Sequence, residues 1–284
     1  MGEETAEEAG GASGAGLFPL PPVTVVAGHY GAGKTNFSIN LALDAAARGY
    51  DVVLADLDVV NPYFRSSDYR GLLEERGVRV IAPVMAGTTL DSPSISGQVS
   101  TAIDEAQREW NQGPASASDG EAGSIKRVPQ RSEDCSGDWA PPRHQRRRAL
   151  IIDAGGDDVG ATALGRFAPA IARAPYALLY VVNRCRNLTQ QPAEAVSVLR
   201  EIEAKARLRA TAVVNNTHLK QETDEGTIAL GVPFARAVAD ELGLPLACTT
   251  VPARLADRES ALTGPNGGPQ TLYPVQVYVR TPWE

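Results

Sequence analysis

The eight residues Gly28-His29-Tyr30-Gly31-Ala32-Gly33-Lys34-Thr35 fit the pattern G-x-x-x-x-G-K-[ST], and their flanks restrict the fold around them. Val23-Thr24-Val25-Val26-Ala27 is a short β-branched run, and Asn36 through Leu43 follow with helical apolar spacing. Strand, glycine loop and helix in that order aim a helix N-terminus at an anion. Glycines at 28, 31 and 33 let the backbone take positive φ and bring its N–H groups against phosphate oxygens. Lys34 carries a point charge to the β- and γ-phosphates, and the Thr35 hydroxyl is a ligand for Mg²⁺. The expected ligand is a nucleoside triphosphate, held by the loop residues and by Asn36, which opens the helix.

The remainder alternates strand and helix as a parallel sheet does. The spacing predicts strands over 23–27, 51–56, 78–82, 149–153, 176–182, 210–215 and 246–251. Helices are predicted over 34–48, 67–76, 96–111, 161–173, 190–206 and 227–242. Leu150-Ile151-Ile152 and Ala177 to Val182 are near-continuous apolar runs, as expected where helices cover both faces of a sheet. The first helix should stop at Arg48-Gly49, a basic last turn followed by glycine. This pattern favours one doubly wound α/β domain, a mostly parallel sheet in a three-layer arrangement, over two domains. Its expected extent is 21–260, after a Gly-, Ala- and Glu-rich tail over 1–20 and before a C-terminal extension over 261–284. Residues 113–148 hold hardly any large aliphatics and read as an insertion between core elements. The end of this insertion is basic, with Arg143, Arg146, Arg147 and Arg148 together. It reads either as a solvated linker or as an electrostatic patch; Trp139 stands alone there, with no aromatic platform for bases.

Bulk properties exclude several partners. The net charge of −7 disfavours a constitutive nucleic-acid binder. Cys135, Cys185 and Cys248 are far apart, without CxxC spacing, which argues against zinc or an iron–sulfur centre within one chain. No apolar run approaches the roughly 20 residues that span a bilayer. The acidic start is the reverse of a secretory leader, so the expected location is the cytoplasm.

A phosphate loop needs carboxylates at the carboxyl ends of neighbouring strands. The run Val52-Val53-Leu54-Ala55 leads into Asp56-Leu57-Asp58, and Leu150-Ile151-Ile152 leads into Asp153-Ala154-Gly155-Gly156. Asp58 and Asp153 are the metal candidates, while Asp56 is equally readable as a turn former. Asp157 and Asp158 read as switch-loop or capping residues. Tyr63 and Phe64, in Asn61-Pro62-Tyr63-Phe64-Arg65, either face a partner or close a core edge.

Together, the glycine loop, the D-x-D segment and the apolar-DxGG segment resemble the MinD/ParA/CobQ/CobB group of P-loop ATPases. That group belongs to the class that includes signal-recognition GTPases, dethiobiotin synthetase and the nitrogenase iron protein. The resemblance covers roughly residues 22–255 without the insertion. It implies that Lys34 and Thr35 hold phosphate and Mg²⁺, that Asp58 orients the attacking water or the metal's hydration shell, and that Asp153 contacts Mg²⁺ through water. It also implies base recognition by an Asn after strand six and a Pro after strand seven, where Asn215 and Pro252 stand; Asn216 is an off-by-one substitute. The N-K-x-D motif of GTPases is absent, so ATP is the nucleotide expected. His29 occupies the place of a second lysine that reaches across a dimer in MinD- and ParA-type proteins, which puts dimer-activated hydrolysis in doubt. His218 is expected to hydrogen-bond locally near the base. The leading expectation is Mg²⁺-dependent ATP binding with slow hydrolysis as a nucleotide switch. Two alternatives stay open: a ligase or phosphotransferase with a small-molecule substrate, and a partitioning or assembly factor acting as a homodimer or through a protein partner.

Overall fold

The computed structural model describes residues 20–58, 66–82, 93–112, 147–156, 158–258 and 271–279. The expected tail except Leu20, the segment holding Tyr63 and Phe64, and all but the last residues of the basic insertion lie outside the described residues. Eight parallel strands form one sheet: β1 (Val23–Gly28), β2 (Asp51–Leu57), β3 (Val78–Ile81), β4 (Arg148–Ala154), β5 (Tyr176–Val182), β6 (Ala212–Asn215), β7 (Leu246–Pro252) and β8 (Leu272–Val275). Their spatial order is β3-β2-β4-β1-β5-β6-β7-β8. The helices are α1 (Lys34–Ala47), α2 (Arg70–Glu75), α3 (Pro93–Gln112), α4 (Asp158–Gly165), α5 (Ala168–Ile171), α6 (Pro192–Ala206) and α7 (Glu225–Leu242).

Period-two alternation explains the layering. Along β1, Val23, Val25 and Ala27 pack with α3, α6 and α7, for example against Ile103, Leu199 and Phe234. Val26 turns to the other face, where Phe37, Leu41 and Ala45 of α1 cover the sheet with Leu73 of α2. In β4, Leu150 and Ile152 face the first layer and Ile151 the second. Both faces are dry, which is why the middles of these strands are near-continuous apolar runs. Among the described residues, no helix is long and apolar enough to cross a membrane.

Two features differ from the sequence pattern. The helix predicted over 161–173 is two short helices, α4 and α5, separated by a turn at Arg166–Phe167, with a proline in the first turn of α5. The sheet also has an eighth strand. β8 contains Pro274, which cannot donate to a ladder, and it is tolerated because, among the described residues, β8 is an edge strand paired with β7 alone. Proline and the short alternation Leu272-Tyr273-Pro274-Val275 hid this strand from periodicity.

The chain continues from β8 across the start of α1, and two asparagines fasten it there. The Asn40 carboxamide donates to the Gln276 carbonyl at 2.9 Å and accepts from the Gln276 N–H at 2.8 Å. Asn36 donates to the same carbonyl at 2.9 Å, and its oxygen accepts from Tyr278 N–H at 2.8 Å and Val279 N–H at 3.2 Å. Asn40→Ala should therefore cost about 1–3 kcal/mol, because the Gln276 N–H loses its acceptor and the Gln276 carbonyl keeps only the Asn36 donor. The measurement is urea unfolding together with amide exchange: Gln276 and Tyr278 should exchange faster while β1 amides stay protected.

Candidate functional site

β1 ends at the centre of the sheet, between β4 and β5, where successive crossovers leave in opposite directions; ligands of open α/β sheets bind outside such strand ends. The loop that follows is closed on itself by Ala32 N–H donating to His29 O at 3.2 Å. It is also fastened from its flanks. The Asn216 amide, just beyond β6, donates to Ala32 O at 2.7 Å, and Arg186 Nε, beyond β5, donates to Gly31 O at 2.9 Å. Gly33, at φ +88°, has no room for a side chain: a Cβ would strike the Asn216 amide and stand 2.8 Å from His218 Nε2. Gly33 provides no side-chain cap for α1, so the helix start is presented to the cleft.

Lys34 is only 7% exposed and curls back so that Nζ donates to His29 O at 3.1 Å. Strand pairing brings carboxylates toward it. Asp56 and Asp153 are direct partners in the β2–β4 register, and both are buried. Asp56 Oδ1 accepts from Asp58 N–H at 3.0 Å, which orients the end of β2. Asp153 Oδ1 accepts from Ser38 Oγ at 3.3 Å, and Thr35 also hydrogen-bonds this carboxyl. Its other oxygen, Oδ2, is buried with no hydrogen-bond partner among the described residues. Burial, then the charge of Asp56, pushes the Asp153 carboxyl up to about 7, against the pull of Lys34 and Thr35. Gly156 packs the β4 exit directly onto the loop: a Cβ there would come within 2.8 Å of the Tyr30 backbone and meet Lys34 Nζ.

These residues suit a cation that keeps most of its own ligands. Among the described residues, no three His, Cys, Asp or Glu side chains are grouped to hold a metal by themselves. Mg²⁺ does not require that, because it usually retains waters and takes one or two protein groups plus phosphate oxygens. A buried, unpartnered carboxylate oxygen beside the Thr35 hydroxyl matches that demand.

On the other side of the loop a cavity of about 280 Å³ opens. Tyr30, Gly31, Gly33, Lys34, Thr35, Asn36 and Asp58 line its phosphate end, and Pro252 lines the far wall. Gly28, His29, Ala32, Asp153 and Asn215 do not line it. His29 is half-buried, and burial and then the charge of Lys34 hold its imidazole below the ordinary value. Of the two asparagines after β6, the one facing the cavity is Asn216. Asn215 is fully buried, with Nδ2 donating to Thr249 Oγ1 at 3.3 Å and Oδ1 accepting from Thr217 Oγ1 at 2.8 Å. Asn36 turns its carboxamide to the 276–279 segment rather than to the loop.

Several lining residues were not legible beforehand: Arg186, Lys220, Thr223, Thr250, Val275, Val277 and Val279. Arg186 carried a readable signal, since it lies four residues beyond the end of an apolar strand. The valines did not, because their strand was hidden. His218 lies between loop and cavity; its Nδ1 accepts from Lys220 N–H at 3.1 Å, which leaves the proton on Nε2. Packing beneath the loop, then the charges of Arg186 and Lys220, lowers this imidazole to about 4.

Comparison with known proteins agrees with this geometry. The family model of the CobQ/CobB/MinD/ParA nucleotide-binding domain matches residues 23–226. Among solved structures, the chain is similar to the cell division protein FtsY of Thermotoga maritima (20% identity, TM-score 0.47), covering 83% of this chain and 64% of that one. It is also similar to the signal recognition particle 54 kDa protein of Aeropyrum pernix, solved with GDP (14% identity, TM-score 0.48), covering 81% of this chain and 41% of that one. A third is FtsY of Mycoplasma mycoides (16% identity, TM-score 0.45), covering 81% and 59%. The chain thus spans less than two thirds of the length of these proteins. No curated protein matches it in sequence. The chain belongs to the CobQ/CobB/MinD/ParA nucleotide-binding domain family, and it is a nucleotide-binding P-loop domain.

The lowered value of His218 fixes the sign of a pH effect. Between its ordinary value of 6.5 and about 4 the unfolded chain binds a proton that the folded chain does not. Stability associated with His218 is therefore complete above 6.5 and lost as pH falls through that window. Thermal unfolding measured from pH 7 to 4 should show a smaller loss in His218→Asn than in the natural chain.

Proposed function

We propose that this member of the family binds ATP with Mg²⁺ and hydrolyses it slowly, the nucleotide state serving as a switch. The observation that carries this reading is the unpartnered Asp153 Oδ2, buried beside Thr35 and near Lys34 at the mouth of the phosphate loop. Thr35 and Asp58 would hold the metal with Asp153, which acts through water. When bound, the cation neutralises charge on the phosphate oxygens and favours the ionised form of Asp153.

The chain's own groups account for the remaining steps. Loop N–H groups and the start of α1 receive the β-phosphate. Lys34, already desolvated and directed by the His29 carbonyl, places its charge on the β- and γ-phosphates without further reorganisation. Asp58, 8% exposed and lining the cavity, accepts a hydrogen bond from the attacking water and orients it. Gly155 and Gly156 connect β4 to α4 against the loop, so a γ-phosphate contact there would be felt by α4. Tyr30, Val159 and Leu188 are exposed apolar side chains on the segments bounding that end. They are where a second copy or another protein partner would engage.

ATP is favoured over GTP by the base-side lining. Guanine presents two adjacent donors that a carboxylate usually receives, and among the described lining residues the one carboxylate is Asp58, at the phosphate end. The Asn216 carboxamide is occupied by Ala32 O and by Thr250 Oγ1 at 2.6 Å. Pro252 and the valines 275, 277 and 279 leave an apolar slot that suits adenine. Asn215 holds Thr249 and Thr217 in place behind the cavity wall, and of the two asparagines after β6 Asn216 is the one that lines it.

Lys34→Ala should weaken ATP binding by roughly 100-fold or more, read by calorimetric titration with Mg²⁺ present. Unchanged affinity would refute the loop's role. Asp58→Ala should retain ATP and lose turnover by roughly 100-fold in a phosphate-release assay. Retained turnover would mean that another group orients the water.

A further inference from the structure

The segment after β5, Asn183 to Thr189, is held in shape by its own hydrogen bonds. Asn183 Oδ1 accepts from Cys185 N–H at 2.9 Å, and Thr189 Oγ1 donates to Asn183 O at 2.8 Å. Arg184 ties the segment outward, with N–H on Thr217 Oγ1 at 3.2 Å and Nη1 on Leu230 O at 3.2 Å. Held this way, the segment turns Arg186 back over the phosphate loop. Its Nε donates to Gly31 O at 2.9 Å, and its Cδ and Nε lie 3.6 Å from where a Cβ on Gly31 would stand. Arg186 lines the same cavity as Lys34.

A guanidinium has five N–H donors. Here one is engaged by the Gly31 carbonyl, and among the described residues none of the ion pairs includes Arg186. Among the described lining residues, Lys34, Arg186 and Lys220 face the one carboxylate Asp58, while Asp153 and Asp56 lie buried behind the loop. A planar fork over a phosphate loop, anchored at Nε with its Nη groups available, is matched to phosphate oxygens.

We propose that Arg186 is a catalytic residue supplied by the chain itself, donating from its Nη groups to oxygens at the β–γ bridge of bound triphosphate. This rests on the ATP reading given above. In the reaction the water oxygen bonds to the γ-phosphorus as the bond from that phosphorus to the bridging oxygen breaks. The products are ADP and inorganic phosphate, which carries away the water's hydroxyl, and the released proton goes to solvent. Negative charge gathers on the bridging oxygen during that step, and Arg186 stabilises it more than it stabilises the ground state. The Gly31 bond sets the reach: the arginine is prepositioned rather than drawn in from solvent.

The test compares the natural full-length chain with Arg186→Ala and Arg186→Lys, measuring Mg²⁺-dependent ATP turnover, ADP affinity, and affinity for ADP with aluminium fluoride. Arg186→Ala should lose roughly 100- to 1000-fold in turnover and lose the aluminium fluoride complex, with ADP affinity within about threefold. Arg186→Lys should recover only part of the turnover, because an ammonium is a point charge without the planar fork that spans the Gly31 carbonyl and the phosphate oxygens. Equal losses of ADP affinity and turnover would overturn the proposal and reduce Arg186 to a pin for the loop. Unchanged turnover and aluminium fluoride binding would also overturn it. Failure of the natural chain to bind either nucleotide would instead bring down the ATP reading, and this proposal with it.

Discussion

Lys34 and Asp153 keep their charged groups almost entirely out of water, at 7% and 1% exposure, in the same small volume as Asp56 and Asp58. An ion removed from water costs several kcal/mol unless opposing charge and hydrogen bonds offset it. The fold supplies that offset through strand order. Placing β4 between β1 and β2 sets Asp153 beside the loop and opposite Asp56, while the His29 carbonyl receives the lysine. The balance is incomplete, since carboxylates outnumber the lysine and, among the described residues, Asp153 Oδ2 has no hydrogen-bond partner. That residual demand is what the proposed cation and its phosphate ligand would meet. The required closeness also explains the glycines, because any side chain at 33 or 156 would separate the loop from its neighbours.

The far half of the cavity depends on parts of the chain remote from the loop in sequence. Asn36 and Asn40 lie in the first and second turns of α1, yet they hold residues 276–279. That segment then presents Val275, Val277 and Val279 to the cavity by simple alternation. The residue immediately after Thr35 is thus a clamp for the C-terminal segment. Thr35, the proposed metal ligand, and the docking of that segment share one turn of helix.

How far the sequence revealed this differs by element. Long apolar strands flanking the loop were legible because their periodicity is unambiguous and their burial two-sided, as in Leu150 to Ile152. β8 was not, because an edge strand bearing proline has neither property. The family, loop and carboxylate strand ends were readable since each rests on local spacing. Which of two adjacent asparagines faces the cavity was a matter of one residue in register, and alternation along β6 decides it: Asn215 points into the packed layer and Asn216 toward the loop. Arg186 illustrates what pattern alone misses, since its meaning comes from a hydrogen bond to Gly31, 155 positions away.

In the proposed function, phosphate loop, buried carboxylates and apolar slot form one site for Mg²⁺ and ATP. Calorimetric titration of the natural chain with ATP and with GTP, each with and without Mg²⁺, tests it most directly. The account predicts saturable binding of one ATP per chain, strengthened by Mg²⁺ and tighter than GTP. Absence of binding, indifference to Mg²⁺, or a preference for GTP would contradict it.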